Sequence, residues 1–390
     1  TPRFEVYAID NQGLADPTPA VETFSLSNIA PTVAFTNPLD LADTTYASVT
    51  VSWATTDPDG GGPGLHYRVW LDGNEASYDS TSDQTFTVPS LRFLQGGVYA
   101  SGARTLYVQA VDDGGRSGPA TSMTWYVRAP ASVLENNQGR LLLVDDVPVT
   151  GANNALFDAF YKSVADLLPS GTYSLLKREC NPDIFRSGGD VAQTFRQFRA
   201  VLWYRGGETT VSSLLKAYQD SIGTGYLEVG GNLYVDGLYL VEGLNASGAF
   251  SQDFMTRYLG SSSLYNTFGA IGGGQSDSTA GWNCRSGSRF RSSTYGEIFN
   301  TLAAPPVMSG MAGGMRAFVV NDTSYVALWA LPGQLQPANP AEMPVGVTVP
   351  QANNGRMVMV TLPIRYGQPT QVSNMLRRIL NQFGIGIPLP

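Results

Sequence analysis

The sequence predicts two domains of different class: an antiparallel β-sandwich, then a doubly wound α/β domain built on a parallel sheet. Three observations predict it. A turn-and-strand segment occurs twice in the first third of the chain, about one sandwich domain apart. Near residue 139 the rhythm changes from alternating apolar residues to continuous apolar runs separated by amphipathic stretches. The composition is poor in charge and rich in turn formers: 14% charged residues against 43 Gly, 24 Pro and 19 Tyr in 390 residues.

That length implies two or more cores of about 100 to 200 residues each. A net charge of −8 and a pI near 4.7, with no run of Lys or Arg, argue against a nucleic-acid partner, which needs concentrated cations. No stretch reaches the roughly 18 apolar residues of a membrane span, and no signal peptide is present. The start at Thr1-Pro2-Arg3, without Met, reads as a mature or truncated piece of something longer.

The repeat comes first in the chain. "FEVYAIDNQGLADPTPA" (4–20) and "LYVQAVDDGGRSGPATS" (106–122) align without gaps at an offset of 102, matching Val6 to Val108, Ala8 to Ala110, Asp10 to Asp112 and Gly13 to Gly115. In each copy an alternating strand leads to an Asp- and Gly-rich turn and a second alternating run. Each copy is therefore the terminal hairpin of a sandwich. Residues 1–26 read as the last strands of a preceding module, and 29–129 as a complete one.

Between the copies the strand candidates are short, and turns such as Asp57-Pro58-Asp59-Gly60 and Asp72-Gly73 separate them. Trp53 and Trp70 fall at inward positions. The pattern Trp53, Asp57, Asp59, Gly60, then Tyr67, Leu71, Asp72, Gly73, resembles fibronectin type III and related immunoglobulin-like modules of bacterial surface proteins. The resemblance implies a sandwich fold and says almost nothing of activity. Asp57 and Asp59 with Asp112 or Asp113 are candidate ligands for a Ca²⁺ ion between loops; the competing reading is plain Asx-turns.

After a polar linker (130–139), "RLLLVDDV" is an apolar run of the kind buried on both sheet faces. A helix follows, with Leu156, Phe160, Val164 and Leu167 or Leu168 as its expected apolar stripe. "TYSLLKREC", "AVLWYRGG" and "GNLYVDGLYLV" read as strands, with "VAQTFRQF" and "VSSLLKAYQDSIG" as the helices between them. The chain closes with strands "SYVALWAL" and "RMVMVTLPI" and a helix whose Val372, Met375, Leu376, Ile379, Leu380 and Phe383 share one face before Gly384 ends it. Such alternation implies βαβ units across 140–390.

A first strand ending in Asp145-Asp146, a third ending in Gly206-Gly207 and a fourth entered through Gly230-Gly231 resemble the glutamine-amidotransferase-like, flavodoxin-like superfamily, over about 60% of the chain by element order. In catalytic members the Gly-Gly turn supplies an oxyanion-hole N–H, a Cys follows the fourth strand, and a His takes its proton. Here the elbow reads Val235-Asp236-Gly237, and His66, the one histidine of the chain, lies in the sandwich. The family's triad is missing.

Other chemistry is open at the carboxyl edge of the sheet. Asp145, Asp146, Arg205, Glu208 and Asp236 are the residues an unrecognised hydrolase site would use, and the three aspartates could hold Mg²⁺ or Ca²⁺. The alternative is that one of Asp145 and Asp146 caps the next turn and the other is solvated. Ser213 to Lys216 matches a Ser-x-x-Lys pattern inside an amphipathic helix and reads as chance. The Gly/Ser-rich loop 269–293 carries Trp282, Arg285, Arg289 and Arg291, a candidate docking or ligand-binding surface. Cys180 and Cys284 form a candidate disulfide, with two separate thiols as the alternative. Asn245 and Asn321 open glycosylation sequons.

The reading that follows is a non-catalytic extracytoplasmic protein, periplasmic or on the cell surface. It requires no cofactor, Ca²⁺ being the optional exception, and its partners are other proteins of an envelope or surface assembly. A hydrolase at the sheet edge and a carbohydrate-binding module displaying exposed aromatics are the alternatives.

Overall fold

Runs that are apolar at every residue become strands buried on both faces, and this organises the larger part of the chain. A computed structural model describes residues 2–24, 27–60, 64–131, 138–147, 154–177, 185–205, 217–237, 251–259, 355–360, 364–366 and 369–389. It also describes the backbone of strands Ser261–Leu264, Trp282–Cys284, Ala312–Met315, Phe318–Val320, Val326–Pro332 and Glu342–Pro350. The chain divides into two compact units. The first comprises 1–43, 51–86 and 103–126, the second 44–50, 87–102 and 127–390. Residues 44–50 and 87–102, which the strand rhythm assigns to the sandwich, group with the second unit.

The first unit is antiparallel and sandwich-like. Strand His66–Leu71 pairs with Gly102–Val111, aligning Tyr67 with Ala110, Val69 with Val108 and Leu71 with Leu106. All six are buried, because alternate residues of a half-buried strand face one side. Thr32–Phe35 pairs with Val49–Thr56, and Trp53 meets the edge of Tyr67 with ring centroids 5.1 Å apart. Both tryptophans expected to point inward are buried.

The repeat is visible in hydrogen bonds. The Asp10 amide donates to the Leu14 carbonyl as Asp112 does to Arg116, and Gly13 and Gly115 donate to the carbonyls of Asp10 and Asp112. Bridges Ile9 to Ala15 and Val111 to Ser117 follow the same offset. Gly13 and Gly115 adopt φ of 85° and 81°, a left-handed region that side chains disfavour. Two copies of one turn are thus built from one Asp-x-x-Gly pattern.

In the second unit a seven-stranded sheet carries β1 (Gly139–Asp145), β2 (Tyr173–Lys177), β3 (Phe198–Tyr204), β4 (Asn232–Asp236), β5 (Val326–Pro332), β6 (Glu342–Pro350) and β7 (Arg356–Val360), in the order β2-β1-β3-β4-β7-β6-β5. The strands β2, β1, β3, β4 and β7 run parallel, while β6 and β5 add antiparallel pairs at the edge. The sheet is therefore mixed, where the sequence predicted a parallel one. Strand β6 escaped notice because it contains Pro344 and ends on Pro350, residues that argue against a strand when read locally.

Helices α1 (Asn154–Ala165), α2 (Gly188–Arg196), α3 (Gln219–Ile222), α4 (Gln252–Leu259) and α5 (Pro369–Gln382) cover the sheet. One core joins Leu141, Leu143, Leu202 and Val358 to α1 and α5, and the other joins Leu142, Val144, Trp203 and Met357 to α2, α4 and the turns after α3. All six apolar positions predicted for α5 are buried. The stripe predicted for α1 needs correction: Phe157, Tyr161, Val164 and Leu168 are buried, while Leu156 and Leu167 are exposed. Two overlapping faces are apolar in this helix, and the one carrying two aromatic rings wins by area removed from water.

Gly355 precedes β7 where backbones meet closely. A Cβ there would stand 2.0 Å from the Leu227 carbonyl oxygen and 2.9 Å from that of Gly231. Gly355→Ala is expected to destabilise the protein by about 3 kcal/mol, because two backbones must part to admit one methyl. Denaturant titration measures this, and a midpoint equal to the parent's contradicts the close approach.

Candidate functional site

Parallel register places the strand ends level with one another. Lys177 is aligned with Asp145, Asp145 with Tyr204, Tyr204 with Asp236 and Asp236 with Val360. Each strand is an apolar run finishing at this row, so the row forms the carboxyl edge where open α/β sheets bind ligands. Four of the residues nominated from sequence, Asp145, Asp146, Arg205 and Asp236, meet here. All four are buried.

The protein itself engages one oxygen each of Asp145 and Asp236, while Asp145 Oδ2 and Asp236 Oδ1 are buried without a hydrogen-bond partner. Asp145 Oδ1 accepts the Val147 amide at 3.1 Å, so Asp145 is the capping residue of the pair. Asp146, expected to be solvated if its neighbour caps, is buried instead, with Arg205 Nη1 3.9 Å from its Oδ2. The correction has a physical cause. Arg205 is itself buried one residue past β3, so the two charges are better placed facing each other than alone.

Helix α1 closes the row from one face. Tyr161 donates its hydroxyl to Asp236 Oδ2, which also accepts from Tyr234 at 2.9 Å. The Tyr161 ring stacks on Tyr204 at 4.2 Å, and Tyr204 donates to Asp158 Oδ1 at 2.9 Å. Lys177 Nζ lies 3.0 Å from Asp158 and 4.0 Å from Asp145. Asp158 and Tyr161 are three apart on α1 and so share the face turned to the sheet. Sequence reasoning missed Tyr161, Tyr204, Tyr234, Asp158 and Lys177. For Tyr204 and Lys177 the signal is a polar residue closing a strand; Tyr234, inside β4, and Asp158 and Tyr161, on α1, join the row only through register and helix packing.

Burial sets the electrostatics. Loss of water pushes the Asp236 carboxyl up to about 7, against the opposing effect of the Tyr161 and Tyr234 hydroxyls and the Ile364 amide. Asp145 rises to about 7 for the same first reason, opposed by the Val147 amide and assisted by the negative charge of Asp158. Tyr161 and Tyr234 are raised, again by burial and then by Asp236, and remain phenols. The result is a protonatable network sealed from solvent, suited to joining strand ends to a helix.

The remaining nominated residues lie elsewhere. In the first unit Asp112 is buried and its Oδ1 accepts the Arg116 amide at 2.8 Å, while Asp59 Oδ2 accepts the Ile29 amide at 2.8 Å. The Ile29 amide, as the largest influence, holds Asp59 below the usual carboxylate range; desolvation and then Asp59 itself push Asp57 up. Asp113 is exposed. Among the described residues no three carboxylate, imidazole or thiol side chains form a metal-binding group. His66 Nδ1 faces the Gly64 carbonyl at 3.1 Å.

Gly206, Gly207, Glu208, Ser213, Lys216, Cys180, Arg285, Arg289, Arg291 and both sequons lie outside the described residues, as do the side chains of Trp282 and Cys284. Trp53, Trp70, Trp125 and Trp203 are buried and so offer no platform for a sugar ring.

Fold and site together define a class of protein: an antiparallel sandwich-like unit and an α/β unit with Asp145, Asp146, Arg205 and Asp236 buried at the carboxyl ends of its parallel strands. No family model matches the chain, and no curated protein does. Among solved structures it is similar to the fibronectin(III)-like modules of Clostridium thermocellum CbhA, with 17% identity, 25% of this chain and 97% of that chain covered, and a TM-score of 0.20. A polysaccharide deacetylase from Bacillus cereus shares 13% identity over 58% of this chain and 66% of that chain, TM-score 0.17. A Family 28 exopolygalacturonase from Yersinia enterocolitica shares 12% over 72% of this chain and 45% of that chain, TM-score 0.22. No helix among the described residues is long and apolar enough to cross a membrane.

Proposed function

We propose that this is a non-catalytic extracytoplasmic protein, a surface protein or accessory subunit of a cell-envelope assembly, in which immunoglobulin-like modules present a flavodoxin-like, amidotransferase-like domain that has lost its chemistry. The observation that carries this reading is the burial of Asp145, Asp146, Arg205 and Asp236, of which Asp145 accepts a backbone amide, Asp236 accepts a tyrosine hydroxyl and Arg205 faces Asp146. A reacting group must touch substrate, and these do not reach solvent.

The parallel strand order β2-β1-β3-β4-β7, two-one-three-four-five when the parallel strands alone are counted, supports the flavodoxin-like assignment. The elbow after β4 offers Asp236 and Gly237 in place of a thiol, and the sole histidine is His66. The charge-poor, Gly-rich composition suits an extracytoplasmic setting and contact with other proteins. A hydrolase at the same edge is the second reading, favoured by carboxyls held near 7, a feature active sites share.

The purified chain, offered amide, ester and N-acetylated sugar substrates with Mg²⁺ or Ca²⁺ present or absent, is expected to show no turnover above buffer. Cross-linking on intact source cells is expected to join it to another envelope protein. Turnover that vanishes in Asp145→Asn or Asp236→Asn while the fold stays intact defeats the proposal in favour of the hydrolase.

A further inference from the structure

The hairpin Arg3–Val6 with Ala20–Thr23 has an apolar face that nothing among the described residues covers. Its register pairs Phe4 with Glu22 and Val6 with Ala20, and alternation adds Ala8, so Phe4, Val6, Ala8 and Ala20 share one face with the single carboxylate of Glu22. Phe4 is 61% exposed and Val6 51%, although they are the residues a half-buried strand turns inward. A bare two-stranded hairpin is marginal in water, and an apolar stripe of this kind has an occupant.

The repeat names that occupant. At the offset of 102, Phe4, Val6 and Ala8 correspond to Leu106, Val108 and Ala110. Those three are 1%, 0% and 0% exposed, covered within an antiparallel module. The turns of the two hairpins carry the same backbone bonds, so the equivalence holds in structure as well as in sequence. Along this first strand Tyr7, on the opposite face, corresponds to Gln109, which is only partly buried, so the strand turns the same side inward in both copies.

We infer that the Phe4, Val6 and Ala8 side of the first strand is one wall of a second sandwich core. Its other wall is a set of strands of the same type as residues 32–71, supplied from upstream in the natural polypeptide. The hairpin then completes that module by strand pairing and side-chain burial, as Gly102–Val111 completes its own. This inference stands apart from the functional proposal, since a catalytic or a silent α/β unit would carry the same hairpin.

Hydroxyl-radical footprinting compares the 390-residue chain with the polypeptide isolated from its source. Oxidation of Phe4 is expected to fall several-fold in the native polypeptide, with Tyr7 labelled equally in both as the internal control. Equal labelling of Phe4 in the two samples overturns the inference. Protection that vanishes on dilution also overturns it, because a second copy would then be the occupant. As an independent check, Val6→Lys is expected to leave the melting of the 390-residue chain unchanged and to lower one module's melting in the native polypeptide by several degrees. No difference between the two backgrounds counts against it.

Discussion

Between about pH 4 and pH 7 the protein is expected to lose several kcal/mol of unfolding free energy, and Asp236→Asn is expected to remove one carboxyl's share of that loss. The sign follows from three buried carboxyls. Asp145 and Asp236 are pushed up to about 7 and Asp190 to about 6, in each case chiefly by burial, from an ordinary value of 3.8. Asp190 is held by the Thr50 hydroxyl at 2.7 Å and the Arg186 amide at 3.0 Å, which offset only part of the lost hydration. A folded state that keeps a proton the unfolded state has released is favoured in acid. The stabilisation is complete below about pH 4 and is lost as pH rises through 6 to 7, at about 1.4 kcal/mol per pH unit for each group.

Exposed carboxylates with lowered values, such as Asp10 and Asp16, act in the opposite sense below their ordinary value of 3.8, so the optimum falls in mild acid. Denaturant titrations at several pH values measure the slope. A flat profile, or an Asp236→Asn variant with the parent's slope, would show that Asp236 is already ionised in the folded protein.

The second large effect lies in the core. Phe195→Ala is expected to cost about 3 to 5 kcal/mol, roughly 10 °C in melting temperature for a unit of this size. Phe195 is fully buried on α2, and its ring meets Phe185, Trp203 and Tyr226 with centroids 6.0, 5.9 and 5.4 Å away, all near edge-to-face. Deleting it leaves a cavity walled by three rigid rings, which cannot collapse to fill it. Differential scanning calorimetry tests the expectation. A loss below about 1 kcal/mol would mean that α2 repacks and that the ring cluster is loose.

Much of this architecture is legible in local sequence because the signals are local. The repeated Asp-x-x-Gly turns form the same bonds in both copies, since a left-handed glycine and an aspartate that bonds amides two and four residues ahead are enough to define them. The face of α5 follows from the spacing of Val372, Met375, Leu376 and Ile379. Helix α1 was misjudged because Leu156 and Phe157 both extend plausible stripes, and only the sheet beneath decides between them. Strand β6 was missed because its prolines disqualify it until β5 and β7 pair with it from either side.

The candidate site was only half legible. Asp145, Asp146 and Asp236 stand out as charges closing apolar strands, but their burial and their tyrosine partners depend on register and on α1. By itself the sequence determined the kinds of element, the repeated hairpin, and the absence of a thiol or imidazole at the β4 elbow, because these are properties of residue type and spacing. Only the tertiary structure decided that Asp145, Asp146, Arg205 and Asp236 are buried and that Phe4 and Val6 of the first hairpin stand exposed. Burial is set by what packs against a residue from far along the chain, and no local pattern records it.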